Sequence, residues 1–243
     1  MTMVYQERSY RRLIKGTSLV SFRAVVKETD LWVRARRPLE EKTTDLILKH
    51  RLPLERYVQD HPKFVNALRP FPKDLLAPPI VKTMIDAAGG AGVGPMAAVA
   101  GAIAEYVGRD LLAYSDEVMV ENGGDVFIHT AMPVTLSILA GTSPLSNRLG
   151  VRIDLPGHSM GVCTSSGTVG HSTSFGKADA VVVLSESVAV ADAAATALGN
   201  RVAGKSDIQR AIGMGRDIPG LKGLVIILGS ELGVWGDVEL VRL

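Results

Sequence analysis

The chain has 243 residues, with 27 Lys and Arg against 25 Asp and Glu, 25 Gly, 12 Pro and a single Cys. That length holds one large domain or two small ones and buries a full core, while 47% apolar and 21% charged residues exclude wholesale disorder. One cysteine excludes a disulfide framework and any zinc or iron–sulfur cluster built on cysteine.

The charge is uneven. Residues 1–75 carry 16 basic and 9 acidic side chains, and residues 76–243 carry 11 and 16. A basic third can attract phosphate or nucleic acid, but here Arg and Lys alternate with apolar residues as on a half-exposed strand, so a solvated face is expected. The first dozen residues lack the apolar run of a secretory signal, and a cytoplasmic location is expected. Between Asp86 and Glu105 the chain is uncharged, but its five glycines, its alanines and Pro95 make it too weakly apolar to span a bilayer.

In chain order, residues 8–36 read as a three-stranded meander with period-two alternation and turns at Lys15-Gly16 and Glu28-Thr29-Asp30. Pro38 opens a helical pattern, and Pro53 is expected to start a second helix. Prolines 70, 72, 78 and 79 suggest a hinge. Residues 80–88 read as helix, broken by a glycine-rich loop at 89–94, with a long helix from Met96 to Leu112 after it. Strands are expected at 117–121, 126–129, 134–139, 150–154 and 180–184. Helices follow at 188–202 and 205–214, and strands at 224–228, 233–235 and 238–243. Strands run in groups without regular βαβ alternation, so the expected class is α+β with mixed or antiparallel sheets and Ala-rich helices.

Four motifs carry chemistry. Gly92-Val93-Gly94-Pro95-Met96-Ala97 has the GxGxxA spacing of a dinucleotide fingerprint but follows a helix rather than a strand, which argues against a Rossmann unit. A glycine-rich loop feeding a helix start still offers free N–H groups to an anion, although close helix packing explains the same residues. Asn122-Gly123-Gly124-Asp125 between apolar strands is hairpin-turn chemistry, and equally a place where a ligand approaches bare backbone. Asp192 and Thr196 lie four apart on a helix, so both project on one face; hard oxygens of this kind suit Mg²⁺, although a plain polar stripe gives the same spacing. The segment 162–167, Val-Cys-Thr-Ser-Ser-Gly, reads as a buried strand ending in a hydroxyl-lined loop rather than a cysteine or serine nucleophile.

Three of these elements, in this order, resemble the ApbE-like superfamily, whose characterised members are FAD:protein FMN transferases. Asn122-Gly123-Gly124-Asp125 resembles its Asn-x-Gly-Gly-Asp turn, with one residue fewer. Thr164-Ser165, with Gly167 following, resembles its Thr-Ser-Gly loop. Ala191-Asp192-Ala193-Ala194-Ala195-Thr196-Ala197-Leu198 resembles its metal-binding helix. The likeness covers about residues 90–205 and implies a single ApbE-like, T-fold-related unit spanning 1–243, with subregions 1–75 and 76–243.

The resemblance implies metal ligands at Asp192, Thr196 and the main-chain carbonyl of Ala97. It implies ligand binding by Gly94, Pro95, Asn122, Gly123, Gly124, Asp125, Thr164 and Ser165, with Mg²⁺ and FAD or a related flavin nucleotide as cofactors. The family's lysine is Ala98 in one alignment and Glu105 in another, and its Ser-His-x-x-Asp-Pro segment has only Gly170-His171-Ser172-Thr173 as counterpart. The expected function is Mg-dependent flavin-nucleotide handling, by FMN transfer or FAD diphosphate cleavage. The alternative is a non-catalytic binder of a nucleotide or other phosphorylated ligand. Expected partners are that nucleotide and an acceptor protein, with a homodimer admitted and neither nucleic acid nor membrane.

Overall fold

The computed structural model describes residues 19–168 and 175–243. The first strand of the expected meander, and residues 170–173, lie outside them. The remaining two strands, β1 (Val20–Val26) and β2 (Thr29–Ala35), form a hairpin in register Val20 to Ala35. β2 pairs with β3 (Val118–Asn122), so the N-terminal hairpin extends the sheet that carries the later motifs. β3 then leads to β4 (Asp125–His129), β5 (Val134–Ser137), β6 (Leu149–Ile153), β7 (Ser159–Ser165) and β8 (Ala180–Ser185). The last strands are β9 (Leu221–Leu228), β10 (Glu231–Gly236) and β11 (Glu239–Arg242).

Eight strands form one sheet in the order β1-β2-β3-β4-β7-β8-β9-β10, and β11-β6-β5 form a second; every pairing is antiparallel. Side chains alternate across the large sheet. Val181, Val183, Leu224 and Ile226 join the core under the helices. Their neighbours Ala180, Val182, Leu184, Val225 and Ile227 join a second core shared with Val134, Leu136 and Val151 of the small sheet. Strands buried on both faces read as continuous apolar runs, which is why β8 has six buried positions in succession.

The helix layer comprises α1 (Glu40–Asp60), α2 (Pro62–Asn66), α3 (Pro79–Ala91), α4 (Val99–Leu111), α5 (Val188–Gly199) and α6 (Asp207–Asp217). Two expectations are corrected here. Pro53 does not start a helix; it sits inside α1, because Leu46, Ile47, Leu54 and Tyr57 keep one buried face across it. Gly89 and Gly90 form no loop; they continue α3, whose buried face (Ile80, Val81, Met84, Ile85, Ala87, Ala88) overrides glycine's weak helix propensity. Gly92, at φ +74°, ends that helix in the left-handed cap that glycine adopts readily. Among the described residues no single helix is long and apolar enough to cross a membrane.

Candidate functional site

β3 and β4 pair with Asn122 opposite Asp125, leaving Gly123 and Gly124 as a two-residue turn at φ +70° and +113°. Glycine takes both values without steric cost. The Gly124 N–H donates to Glu121 Oε1 at 3.0 Å, and the Asn122 side-chain amide donates to the Ala100 carbonyl at 3.0 Å. A side chain at Gly123 would meet nothing within 4 Å, and one at Gly124 only the Thr164 carbonyl at 3.5 Å. The turn thus stands open beside the end of β7.

Asp125 and Cys163 face each other across β4 and β7, both buried and both on the helix side by strand alternation. Burial pushes the Asp125 carboxyl up to about 7; a hydrogen bond with the Cys163 thiol opposes this and the Glu121 charge adds to it. Burial also pushes the Cys163 thiol well up, helped by Asp125 and Asp192, while its Sγ donates to the Val188 carbonyl at 3.4 Å. A thiol so held is a core group, not a nucleophile.

Asp192 lies on α5, half-buried. Its Oδ2 accepts from the Gly101 N–H at 2.8 Å, and the Ala100 N–H also bonds to its carboxyl. The first N–H groups of α4 have no partner within their helix, so Asp192 caps α4 from across the layer. Glu105 of α4 returns the arrangement: its Oε2 accepts from Ser187 Oγ at 2.9 Å and the Ala189 N–H at 3.1 Å, at the start of α5. Gly101 makes the contact feasible, since a Cβ there would lie 2.5 Å from the Val188 carbonyl and 2.7 Å from Asp192 Cβ. Burial raises the Asp192 carboxyl well above its ordinary value, and nearby Asp125 raises it further.

One turn beyond Asp192 stands Thr196, and one more turn on, Asn200, whose Oδ1 accepts from the Phe175 N–H at 2.9 Å. All three are half-buried, whereas Ala191, Ala193, Ala194, Ala195 and Ala197 between them are buried. Ser165 shares the helix side with Cys163 and reaches the end of α5, its Oγ 3.2 Å from where a Gly199 Cβ would stand. Thr164, one residue earlier, points to the opposite face by alternation. The Pro95–Ala98 turn packs on α5 with Ala97 half-buried. Gly94 and Pro95 are buried, Gly94 so closely that a Cβ would fall 1.7 Å from the Ala67 carbonyl. The helix expected from Met96 starts at Val99, and its leading N–H groups are taken by Asp192, so the anticipated anion site there has an internal carboxylate in place.

Asn122, Asp125 and Asp192 therefore lie about the starts of α4 and β4, with Thr196 one turn along α5 and Ser165 near the end of that helix, whereas Thr164 points to the opposite face and Gly94 packs against Ala67. Sequence reasoning missed the capping pair and the Asp125–Cys163 contact. The one acidic side chain closing the Ala/Gly stretch, Glu105, was the available signal for the first. Among the described residues no three His, Cys, Asp or Glu side chains gather into a metal cluster, so a cation there would rest on few protein oxygens.

A family model described as "AbpE bacteria" matches residues 11–219. The chain belongs to this ApbE-like family. A UPF0280 protein of Methanopyrus kandleri is 42% identical over 225 residues, covering 90% of this chain and 91% of its own. A UPF0280 protein of Methanocaldococcus jannaschii is 39% identical over 227 residues, covering 90% and 92%. The apo flavinyl transferase ApbE of Pseudomonas stutzeri superposes with a TM-score of 0.57 at 16% identity, over 90% of this chain and 94% of that one. The ApbE protein of Thermotoga maritima gives 0.54 at 14% identity, over 89% and 96%. At those identities the ApbE-like likeness is one of fold, and it agrees with the antiparallel α+β architecture described above.

Proposed function

We propose that this ApbE-like chain handles a flavin nucleotide together with a divalent cation, by transfer of the FMN moiety to a protein hydroxyl or by cleavage of the FAD diphosphate. The observation that carries the reading is Asp125, directly after the open Gly123–Gly124 turn, lying close enough to Asp192 for its charge to raise the proton affinity of the Asp192 carboxyl. Two acids in one half-closed place are a donor set that a hard cation relieves. Asp192 carboxylate, Thr196 hydroxyl and the Ala97 carbonyl are oxygens of the kind Mg²⁺ accepts, and Mg²⁺ completes its shell with water and substrate phosphate. Bound there, the cation would neutralise diphosphate charge.

The chain's own residues do the rest. Gly123 and Gly124 leave backbone open to a ligand, and Asn122 holds that turn to α4 through Ala100. The cap between Asp192 and α4 fixes the carboxyl's orientation, so positioning precedes ligand arrival. Of the two residues that alignments set against the family's lysine, Ala98 is fully buried and uncharged and Glu105 is an acid, so neither supplies its cation. This favours a second reading, a binder that retains the nucleotide without turnover. Release of AMP from FAD and Mg²⁺ separates the two.

The decisive test is calorimetric titration with FAD, with and without Mg²⁺. Wild type should bind tightly only with the metal. Asp192→Asn keeps an oxygen for the Gly101 N–H, so the fold should persist while Mg²⁺ dependence disappears. Thr196→Val should weaken binding by only about three- to tenfold, the worth of one neutral ligand contact. Equal FAD binding without metal, or an unimpaired Asn variant, would defeat the metal assignment.

A further inference from the structure

The end of α2 and the segment between α2 and α3 carry four large apolar side chains in the open within twelve residues: Val65 of α2, then Leu68, Leu75 and Leu76, the last three 72%, 84% and 95% exposed. Scattered single leucines need no explanation, but a concentration of this kind marks a surface meant for contact. The leucines are not on a loose strand. Tyr57 donates its hydroxyl to Asp74 Oδ2 at 3.0 Å, and Asp74 Oδ1 accepts from the Leu76 N–H at 2.9 Å. Phe71 packs edge-on against buried Phe64, which packs against Tyr57, each at 5.3 Å between ring centres. An aspartate turn tied to the core thus holds Leu75 and Leu76 outward, and little order remains to be gained on docking.

The charge around the leucines points to the occupant. Residues 61–79 hold Lys63, Arg69 and Lys73 against the single acid Asp74, which is engaged with Tyr57; Lys73 is paired with Asp86 at 2.9 Å, so Lys63 and Arg69 carry the patch's excess positive charge. A second copy is disfavoured, because a two-fold interface would set this basic patch against itself. The leucines protrude into solvent, and a lipid interface needs no matching shape to receive them. We propose that residues 65–76 dock reversibly on an anionic membrane surface, Leu75 and Leu76 entering the headgroup boundary while Lys63 and Arg69 face anionic lipid. The contact is peripheral and distinct from any spanning segment.

The test is co-sedimentation of the full chain with phosphatidylcholine vesicles, with and without phosphatidylglycerol, at low and high salt. Wild type should partition onto the anionic vesicles, weakly onto neutral ones, and lose binding as salt rises. The double substitution Leu75→Ser with Leu76→Ser should lower partitioning about tenfold or more, while leaving the urea midpoint unchanged because both side chains are exposed. Lys63→Gln and Arg69→Gln should each lower it about fivefold. Absence of wild-type binding, or undiminished binding by the double variant, overturns the proposal. So does a dimer in sedimentation equilibrium that the leucine substitutions dissociate, since the surface would then belong to a second copy.

Discussion

Burial between β4 and the helix layer raises the Asp125 carboxyl from its ordinary 3.8 to about 7, so the folded chain holds a proton there that the unfolded chain releases. Between those values the native state binds more protons than the unfolded state, and stability falls as pH rises from about 4 to about 7. Asp192 is shifted the same way and adds to the slope. Asp125→Asn should therefore flatten, without abolishing, the loss of urea midpoint between pH 5 and pH 7.5. An unchanged slope would mean that Asp125 titrates normally. At the same scale, Asp125 and Asp192 were legible in the sequence because carboxylates beside glycines and alanines stand out. The partners that tune them, Cys163 and the Gly101 N–H, come from sequence positions 38 and 91 residues away and left no local mark.

The two central helices hold each other's ends: Asp192 caps α4, and Glu105 caps α5. Glu105→Ala would leave the half-buried Ser187 hydroxyl and the buried Ala189 N–H without their acceptor, and should cost about 1–3 kcal/mol in chemical denaturation. Glu105→Gln keeps an acceptor and should cost less; equal losses would refute the capping role. Gly101→Ala should destabilise by about 1–3 kcal/mol, because its methyl meets the Val188 carbonyl and Asp192 Cβ. Most strands and α5 were legible, since alternation and Ala-rich apolar runs are local signals. The extent of α1 and α3 was not. There, burial against the sheet carries the helix through Pro53 and through Gly89–Gly90, and burial is a property of the assembled layer rather than of the segment.

For the whole molecule, the large sheet serves two cores, one under the helices and one under the three-stranded sheet. Neighbours in β9 report on them separately, because Ile226 belongs to the first and Ile227 to the second. Both are fully buried, so Ile226→Ala and Ile227→Ala should each cost about 2–5 kcal/mol. A near-neutral Ile227→Ala would show that the small sheet only rests on the large one. The double burial also explains why composition excluded disorder so readily, yet could not say which face each apolar residue serves.

Cys163 is the chain's only thiol, and it lies sealed beneath Asp125 against the Val188 carbonyl. An external alkylating reagent can reach it only when the β4–β7 seam parts from α5. The rate of its modification is therefore a built-in clock for the parting of that seam, read in the unaltered protein. A ligand that holds β4, β7 and α5 together should slow that clock.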